Sequence, residues 1–153
     1  MSVRVGDVAP DIQALDHRGQ LFRLSEQRGQ RNVVLFFYPR AFTPGCTAEV
    51  CSFRDAYDEL RDGGTELVGV STDGLDKQAK FAETHRVQYP LLPDADRVVS
   101  KAYGVIGLFR SVLGITKRAT FVIDKQGVVR GVFHHELDIA RHLADVKKTL
   151  ASL

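Results

Sequence analysis

The sequence predicts an α/β protein: a mixed central sheet with helices on its faces, entered through an N-terminal hairpin. Three observations carry that reading. The run Asn32 to Tyr38 is continuous and apolar, as expected of a strand buried on both faces. Strand and helix patterns alternate from there to Tyr103, which asks for parallel crossover units. Short alternating stretches joined by turn residues lie on either side of this region and add antiparallel strands.

In order along the chain, Asp11 to Leu15 and Leu21 to Leu24 flank His17-Arg18-Gly19-Gln20 as a hairpin. The apolar run then ends at Pro39. Thr47 to Arg61 reads as a helix with Val50, Phe53, Tyr57 and Leu60 on one face, closed by Gly63-Gly64. Glu66 to Ser71 is a second buried strand, Asp76 to Thr84 a helix, Tyr89 to Pro93 a short extended piece, and Asp96 to Tyr103 a further helix. Thr120 to Asp124 and Val128 to Phe133 flank Lys125-Gln126-Gly127 as a second hairpin. Ile139, Leu143, Val146 and Leu150 then share one helical face. No internal repeat or linker interrupts this order, so residues 1–153 are expected to form one domain with one substantial core.

The chain is 44% hydrophobic and 26% charged, with a net charge of +2 and both signs interspersed. No basic stripe of the kind that tracks nucleic acid is present, and the apolar clusters are too short to span a membrane. Met1 to Asp7 lacks the apolar core of a signal peptide, so the expected compartment is the cytoplasm. Stable disulfides are rare there, which weakens the reading of the two cysteines as a permanent staple.

Those cysteines are Cys46 and Cys51. Cys46 follows the apolar run and the turn Pro39-Arg40-Ala41-Phe42-Thr43-Pro44-Gly45, and the helix follows it. A strand-to-helix turn places a thiol beside free N–H groups and the positive end of the helix dipole, which favour an anion. The anion here is a thiolate, the reactive form of cysteine; an ordinary thiol of pKa ~8.5 is only about 3% ionised at pH 7. The placement points to a nucleophile, against the plainer reading of a small buried side chain.

The pattern Pro39-x-x-x-Thr43-x-x-Cys46, in the form Thr43-Pro44-Gly45-Cys46-Thr47, resembles the active-site motif of peroxiredoxins. A second cysteine in the same helix resembles the Q-type branch, the bacterioferritin comigratory proteins. Gly6-Asp7-x-Ala9-Pro10-Asp11 and Lys117-Arg118-Ala119-Thr120-Phe121-Val122-Ile123-Asp124 match two further blocks in the right order. The resemblance implies a thioredoxin-like fold and reduction of hydrogen peroxide and organic hydroperoxides by a cysteine thiol, with no metal or prosthetic group. It implies Cys46 as the peroxidatic cysteine, oxidised to a sulfenic acid, and Cys51 as the resolving cysteine in a redox-active Cys46–Cys51 disulfide. Thr43 would set its hydroxyl against thiolate and peroxide, Arg118 would polarise the peroxide, and Pro39 would shield the site. Backbone N–H groups near Gly45 and Cys46 would complete the cradle, and Glu49 would support the arginine. Thioredoxin or a similar dithiol would reduce the disulfide, and the protein would act as a monomer or weak homodimer.

The chemistry asks for these residue types on its own account. Cleaving O–O puts negative charge on a departing oxygen, which fixed donors stabilise as it forms. Arginine supplies several donors and a permanent charge, and a threonine hydroxyl both accepts and donates. A nearby thiol condenses with the sulfenic acid before further oxidation. If both cysteines lie on one ideal helix, five residues give a rise of ~7.5 Å and a Cα separation of roughly 8–9 Å. A disulfide tolerates about 7 Å, so bonding requires the first turns of the helix to unwind.

Plainer readings stand beside several of these. Arg118 is otherwise an exposed strand-edge charge, Thr43 a helix cap or turn residue, Glu49 a solvated first-turn carboxylate and Cys51 a bystander on a helix face, with an external thiol as resolver. His134-His135-Glu136 suggests a metal site, but adjacent strand residues point to opposite faces, and His85 with the cysteines lacks zinc-site spacing. The apolar segment 105–117 is readable as core, as a wall beside the site that with Phe42 would favour organic hydroperoxides, or as a dimer surface. Other function classes are a redox-switched binding protein, which no extra module supports, and a disulfide reductase, which the absence of Cys-x-x-Cys opposes.

Overall fold

The computed structural model describes residues 3–106, 117–134 and 139–153. A two-stranded hairpin, β1 (Gln13–Leu15) and β2 (Leu21–Arg23), precedes a five-stranded sheet. The sheet strands are β3 (Asn32–Phe37), β4 (Thr65–Ser71), β5 (Leu91–Pro93), β6 (Ala119–Ile123) and β7 (Val129–Phe133), in the spatial order β5-β4-β3-β6-β7. Its helices are α1 (Pro44–Asp62), α2 (Leu75–Thr84), α3 (Val98–Ala102) and α4 (Ile139–Ala151).

β3 is central, parallel to β4 and antiparallel to β6. Its unbroken apolar run reflects burial on both sides. Val34, Phe36 and Tyr38 face a core layer holding Val50, Phe53 and Leu60 of α1, Phe81 of α2 and Val146 of α4. Val33, Leu35 and Phe37 face the opposite layer, with Ile12, Phe22, Tyr103 and Phe121. Alternation along one strand thus divides the core in two.

The hairpins form where turn chemistry supports them. The Asp16 carboxylate accepts hydrogen bonds from the Arg18 and Gln20 amides at 2.8 and 3.1 Å, closing the first turn. Gly127 takes φ +82 in the second, a conformation open to glycine without a Cβ clash. The N-terminal segment is pinned to β7, the Gly6 amide donating to the Val129 carbonyl and the Val129 amide to the Asp7 carbonyl.

Two elements differ from the sequence reading. α1 begins at Pro44 rather than Thr47, because proline at the first helical position loses no intrahelical hydrogen bond and its φ is already helical. Cys46 therefore sits within the first turn. α3 is shorter than 96–103, because the Asp94 carboxylate accepts from the Val99 and Ser100 amides and fixes the helix start beyond Arg97, whose φ is +63.

Candidate active site

β3 delivers the chain to the middle of the sheet edge, and the turn 38–43 carries it over to α1. Tyr38 is anchored by its amide on the Val70 carbonyl and its hydroxyl on Gln78. Pro39 follows, half-buried. The Ala41 amide donates to Asp73 Oδ2 at 2.7 Å, the same oxygen that accepts the Ser71 hydroxyl at 2.7 Å, while Lys77 lies 3.2 Å from Oδ1. This carboxylate, just beyond β4, ties the turn to the sheet.

Phe42 adopts φ +65, costly for a residue with a Cβ by about 1–2 kcal/mol. Its ring packs edge-on against Phe81 at 5.0 Å and near His85 at 6.3 Å, yet remains 44% exposed. Thr43 is extended and caps α1 through its carbonyl, which accepts from the Thr47 amide at 2.9 Å. Its hydroxyl donates to the Arg40 carbonyl at 2.8 Å. That hydroxyl is thus engaged within the turn rather than with Cys46, and the capping reading of Thr43 holds only for its backbone.

Cys46 is the third residue of α1, 1% exposed and part of the same core layer as Val34 and Tyr38. The amides of Gly45 and Cys46 lie in the first turn, where no carbonyl precedes them in the helix. Arg118, immediately before β6, donates from Nη2 to Cys46 Sγ at 3.3 Å and from Nη1 to Glu49 Oε1 at 2.7 Å. It is 8% exposed and Glu49 fully buried, so neither is the solvated surface charge that the plainer reading allowed. Gly45 is what lets the arginine come so close: a Cβ there would lie 3.2 Å from Arg118 Nη2.

The electrostatics follow from this burial. Desolvation opposes the Arg118 charge, but Glu49 and Cys46 outweigh it and push its pKa up. Burial raises the Glu49 carboxyl to about 7 against the pull of Arg118. Glu49 Oε2 lies 3.6 Å from His142 Nε2 on α4, and that nitrogen is 2.5 Å from Thr120 Oγ1 on β6.

Cys51 lies further along the same helix, half-buried, and both thiols are free. Because both belong to α1, the ideal-helix separation of roughly 8–9 Å applies to them. Arg54, one turn beyond, donates to the His85 carbonyl at 2.8 Å, and the Tyr89 hydroxyl donates to the Val50 carbonyl at 2.8 Å. The middle of α1 is thereby fastened to the segment before β5.

The structure brings Cys46, Arg118, Glu49 and Gly45 together, with Pro39 and Thr43 in the adjoining turn and Cys51 apart. His85 joins Phe42 and Phe81, not the cysteines. His135 and Glu136 of the suspected metal motif, and residues 107–116 of the apolar segment, lie outside the described residues; Val105, at the start of that segment, is core. Sequence reasoning missed Asp73, Thr120 and His142. Asp73 and Thr120 carry no signal in the sequence. His142 does, because a titratable side chain falls on the apolar stripe of the last helix.

Residues 5–132 match the model of the AhpC/TSA family. The chain is 38% identical over 146 residues to peroxiredoxin Bcp of Escherichia coli K12, covering 88% of this chain and 92% of that one. It is 36% identical over 152 residues to the chloroplastic peroxiredoxin Q of Oryza sativa subsp. japonica, covering 99% and 68%. The crystal structure of peroxidoxin BcpB from Mycobacterium tuberculosis superposes with a TM-score of 0.88 at 42% identity, covering 99% and 98%. A cysteine-to-serine mutant of PrxQ from Xylella fastidiosa, at 22% identity, shares the fold with a TM-score of 0.88, covering 99% and 98%. The fold is thus thioredoxin-like, and the chemistry is that of a thiol-dependent peroxidase acting on a peroxide substrate with a thiol reductant. The chain belongs to the AhpC/TSA family, as a peroxiredoxin of the Bcp/Q type.

Proposed function

We propose that Cys46 is the peroxidatic cysteine and that Cys51 resolves it within the same chain. The observation that carries this reading is the Arg118 N–H held 3.3 Å from Cys46 Sγ in the first turn of α1. The sulfur attacks the terminal oxygen of ROOH, the O–O bond breaks, and the departing RO⁻ takes a proton to leave as ROH. Cys46 is then a sulfenic acid. Arg118 and the first-turn amides supply donors where charge develops on oxygen, a contribution typically worth about 10²–10³ in rate per donor. Pro39 limits water at the turn. Thr43 is the residue whose hydroxyl would exchange the Arg40 carbonyl for the substrate.

The Cys51 thiolate then attacks the sulfenic sulfur, closing a disulfide and expelling hydroxide, which takes a proton to leave as water. Its half-buried position on α1, rather than deep in the core, suits that step. So does its distance: the helix must open first, which exposes the disulfide to thioredoxin or a similar dithiol. An intramolecular bond needs no second subunit, in keeping with a monomer or weak homodimer in a reducing, cytoplasmic setting. Phe42, exposed at the turn, supplies an apolar surface for organic hydroperoxides.

The test is the intact mass of fully reduced protein after one equivalent of cumene hydroperoxide, with peptide mapping. Loss of two hydrogens mapped to Cys46 and Cys51 supports the two-cysteine cycle. One added oxygen on Cys46 assigns resolution to an external thiol, and in that case Cys51→Ser leaves thioredoxin-supported turnover unchanged. Absence of reaction at Cys46 overturns the assignment.

A further inference from the structure

Behind the arginine, the site continues into α4. Glu49 gives Oε1 to Arg118, while Oε2, fully buried, accepts no hydrogen bond among the described residues. A buried carboxylate oxygen left without a donor is expensive. His142 Nε2 lies 3.6 Å from Oε2, on a side chain only 1% exposed. Its ring is boxed edge-on by Phe53 at 6.1 Å and Phe133 at 6.3 Å, with no solvent of its own. Thr120 holds the same nitrogen, and its hydroxyl can accept from Nε2–H or donate to the bare nitrogen. The imidazole is thus satisfied at Nε2 in either proton state, and a slight turn of ring or carboxylate would bring Nε2 and Oε2, 3.6 Å apart, within hydrogen-bond reach.

We propose that Glu49 and His142 share one proton, and that this buried pair sets how much of the Arg118 charge is available to Cys46. His142 is a positioning residue, acting through Glu49 and Arg118 rather than touching substrate. The inference rests on Cys46 being the reacting thiol.

Charge balance gives the pair its role. Arg118 carries one positive charge between two candidate anions, the Cys46 sulfur and the Glu49 carboxylate. With the thiolate formed, a carboxylate without a proton leaves this dry cluster with excess negative charge; a proton on the pair cancels it. Once the thiolate is consumed and the neutral sulfenic acid stands in its place, the proton is held less tightly. The elevated carboxyl of Glu49 agrees with such a site. The other titratable groups facing the cluster among the described residues are the phenols of Tyr38 and Tyr89, which burial keeps protonated, and Cys46 itself. With the phenols held protonated, the pair is a place beside the sulfur where the cluster can hold a proton. Coupled groups of this kind titrate in macroscopic steps that belong to the pair, so loss of the shared proton is read at both side chains together.

The experiment follows the pH dependence of Cys46 oxidation by stopped flow, with wild type, Glu49→Gln and His142→Gln, alongside an NMR titration of reduced wild type carrying ¹³C-Glu and ¹⁵N-His. A shared proton makes the Glu49 carboxyl and His142 ring signals move at a common midpoint. The oxidation rate then carries a descending step as pH rises through that midpoint. Glu49→Gln removes the step, since an amide still accepts from Arg118 but does not titrate. His142→Gln shifts it to lower pH, since an amide can donate to Oε2 but takes no proton. Separate midpoints for the two signals overturn the proposal without requiring any variant to fold. So does a step that persists unchanged in both variants, or a uniform rate loss at every pH, which is what a merely structural histidine gives. Failure of the underlying reading looks different: Cys46→Ser would still consume peroxide.

Discussion

Arg118 reaches Cys46 Sγ at 3.3 Å across 72 residues of chain, and spends a second N–H on Glu49 at 2.7 Å. The guanidinium fork spans two acceptors at once because its donors diverge within one plane. The short strand β6 fixes where that fork begins, and the absence of a side chain at Gly45 leaves room for it to close over the sulfur.

Arg118→Lys is expected to keep the charge and lose the fork. An ammonium can sit against sulfur or carboxylate but not hold both geometries, so Cys46 oxidation slows by about 10²-fold. Arg118→Met goes further and strands Glu49 in the core, costing about 3–5 kcal/mol of stability. Stopped-flow oxidation with excess peroxide reads the first effect, and urea unfolding the second. Equal rates for wild type and the lysine variant would remove Arg118 from the chemistry.

Oxidation should melt the start of α1 and spare its middle. Amide protection across residues 46–51 is expected to fall by orders of magnitude in the disulfide form. Protection beyond Phe53 should persist, held by the Arg54 and Tyr89 fastenings. Hydrogen exchange of the reduced and oxidised protein, read peptide by peptide, decides it; equal protection of 46–53 in both forms counts against an intrahelical disulfide.

Glu49 predicts an unusual acid limb. Its carboxyl sits at about 7 in the folded protein, against an ordinary value of 4.5, so the native state binds the extra proton more tightly than the unfolded chain does. The resulting stability is complete below about 4.5 and is lost as pH rises through about 7. The shift corresponds to a loss on the order of 3 kcal/mol. Measured as the difference between wild type and Glu49→Gln, which cancels the opposite slopes of Asp16 and Asp124, the stability gap should change across that window. A gap constant from pH 4 to 8 would show that the carboxyl does not titrate there.

Asp73 holds the active-site turn from behind. Asp73→Ala leaves the Ala41 amide and the Ser71 hydroxyl without their shared acceptor, at a cost of about 1–3 kcal/mol. Because the turn positions Cys46, slower peroxide reaction is expected with the reductant step unaffected. Asp73→Asn, which keeps one acceptor oxygen, should recover part of both. Thermal unfolding and single-turnover oxidation report the two effects.

The sheet was legible from β3 outward because its residues are buried on both faces, and no solvent side dilutes the apolar signal. That Cys46 and Arg118 belong together was legible through motif context, and the structure sets them 3.3 Å apart. The start of α1 was placed three residues late because Pro44 and Gly45 read as turn residues, whereas proline inside a first turn is compatible with the helix. His142 stands out on the apolar stripe of α4, but its meeting with Thr120 escaped because no local pattern encodes a contact 22 residues apart. Asp73 is a similar case: its partner Ala41 sits 32 residues upstream.

Both cysteines belong to one continuous helix, and this ties the electrochemistry of the pair to the mechanics of the backbone. Closing the proposed Cys46–Cys51 disulfide would trade the opening turns of α1 for a sulfur–sulfur bond, and reduction would return them. Whatever free energy those turns recover on rewinding adds to the driving force for reduction, at about 30 mV for every ~1.4 kcal/mol in a two-electron couple. A substitution that strengthens the start of the helix makes the disulfide a stronger oxidant, and one that frays it makes the disulfide harder to reduce, with neither sulfur altered. On the proposed cycle, the potential at which the thiols are restored would be set partly by residues that never meet a peroxide.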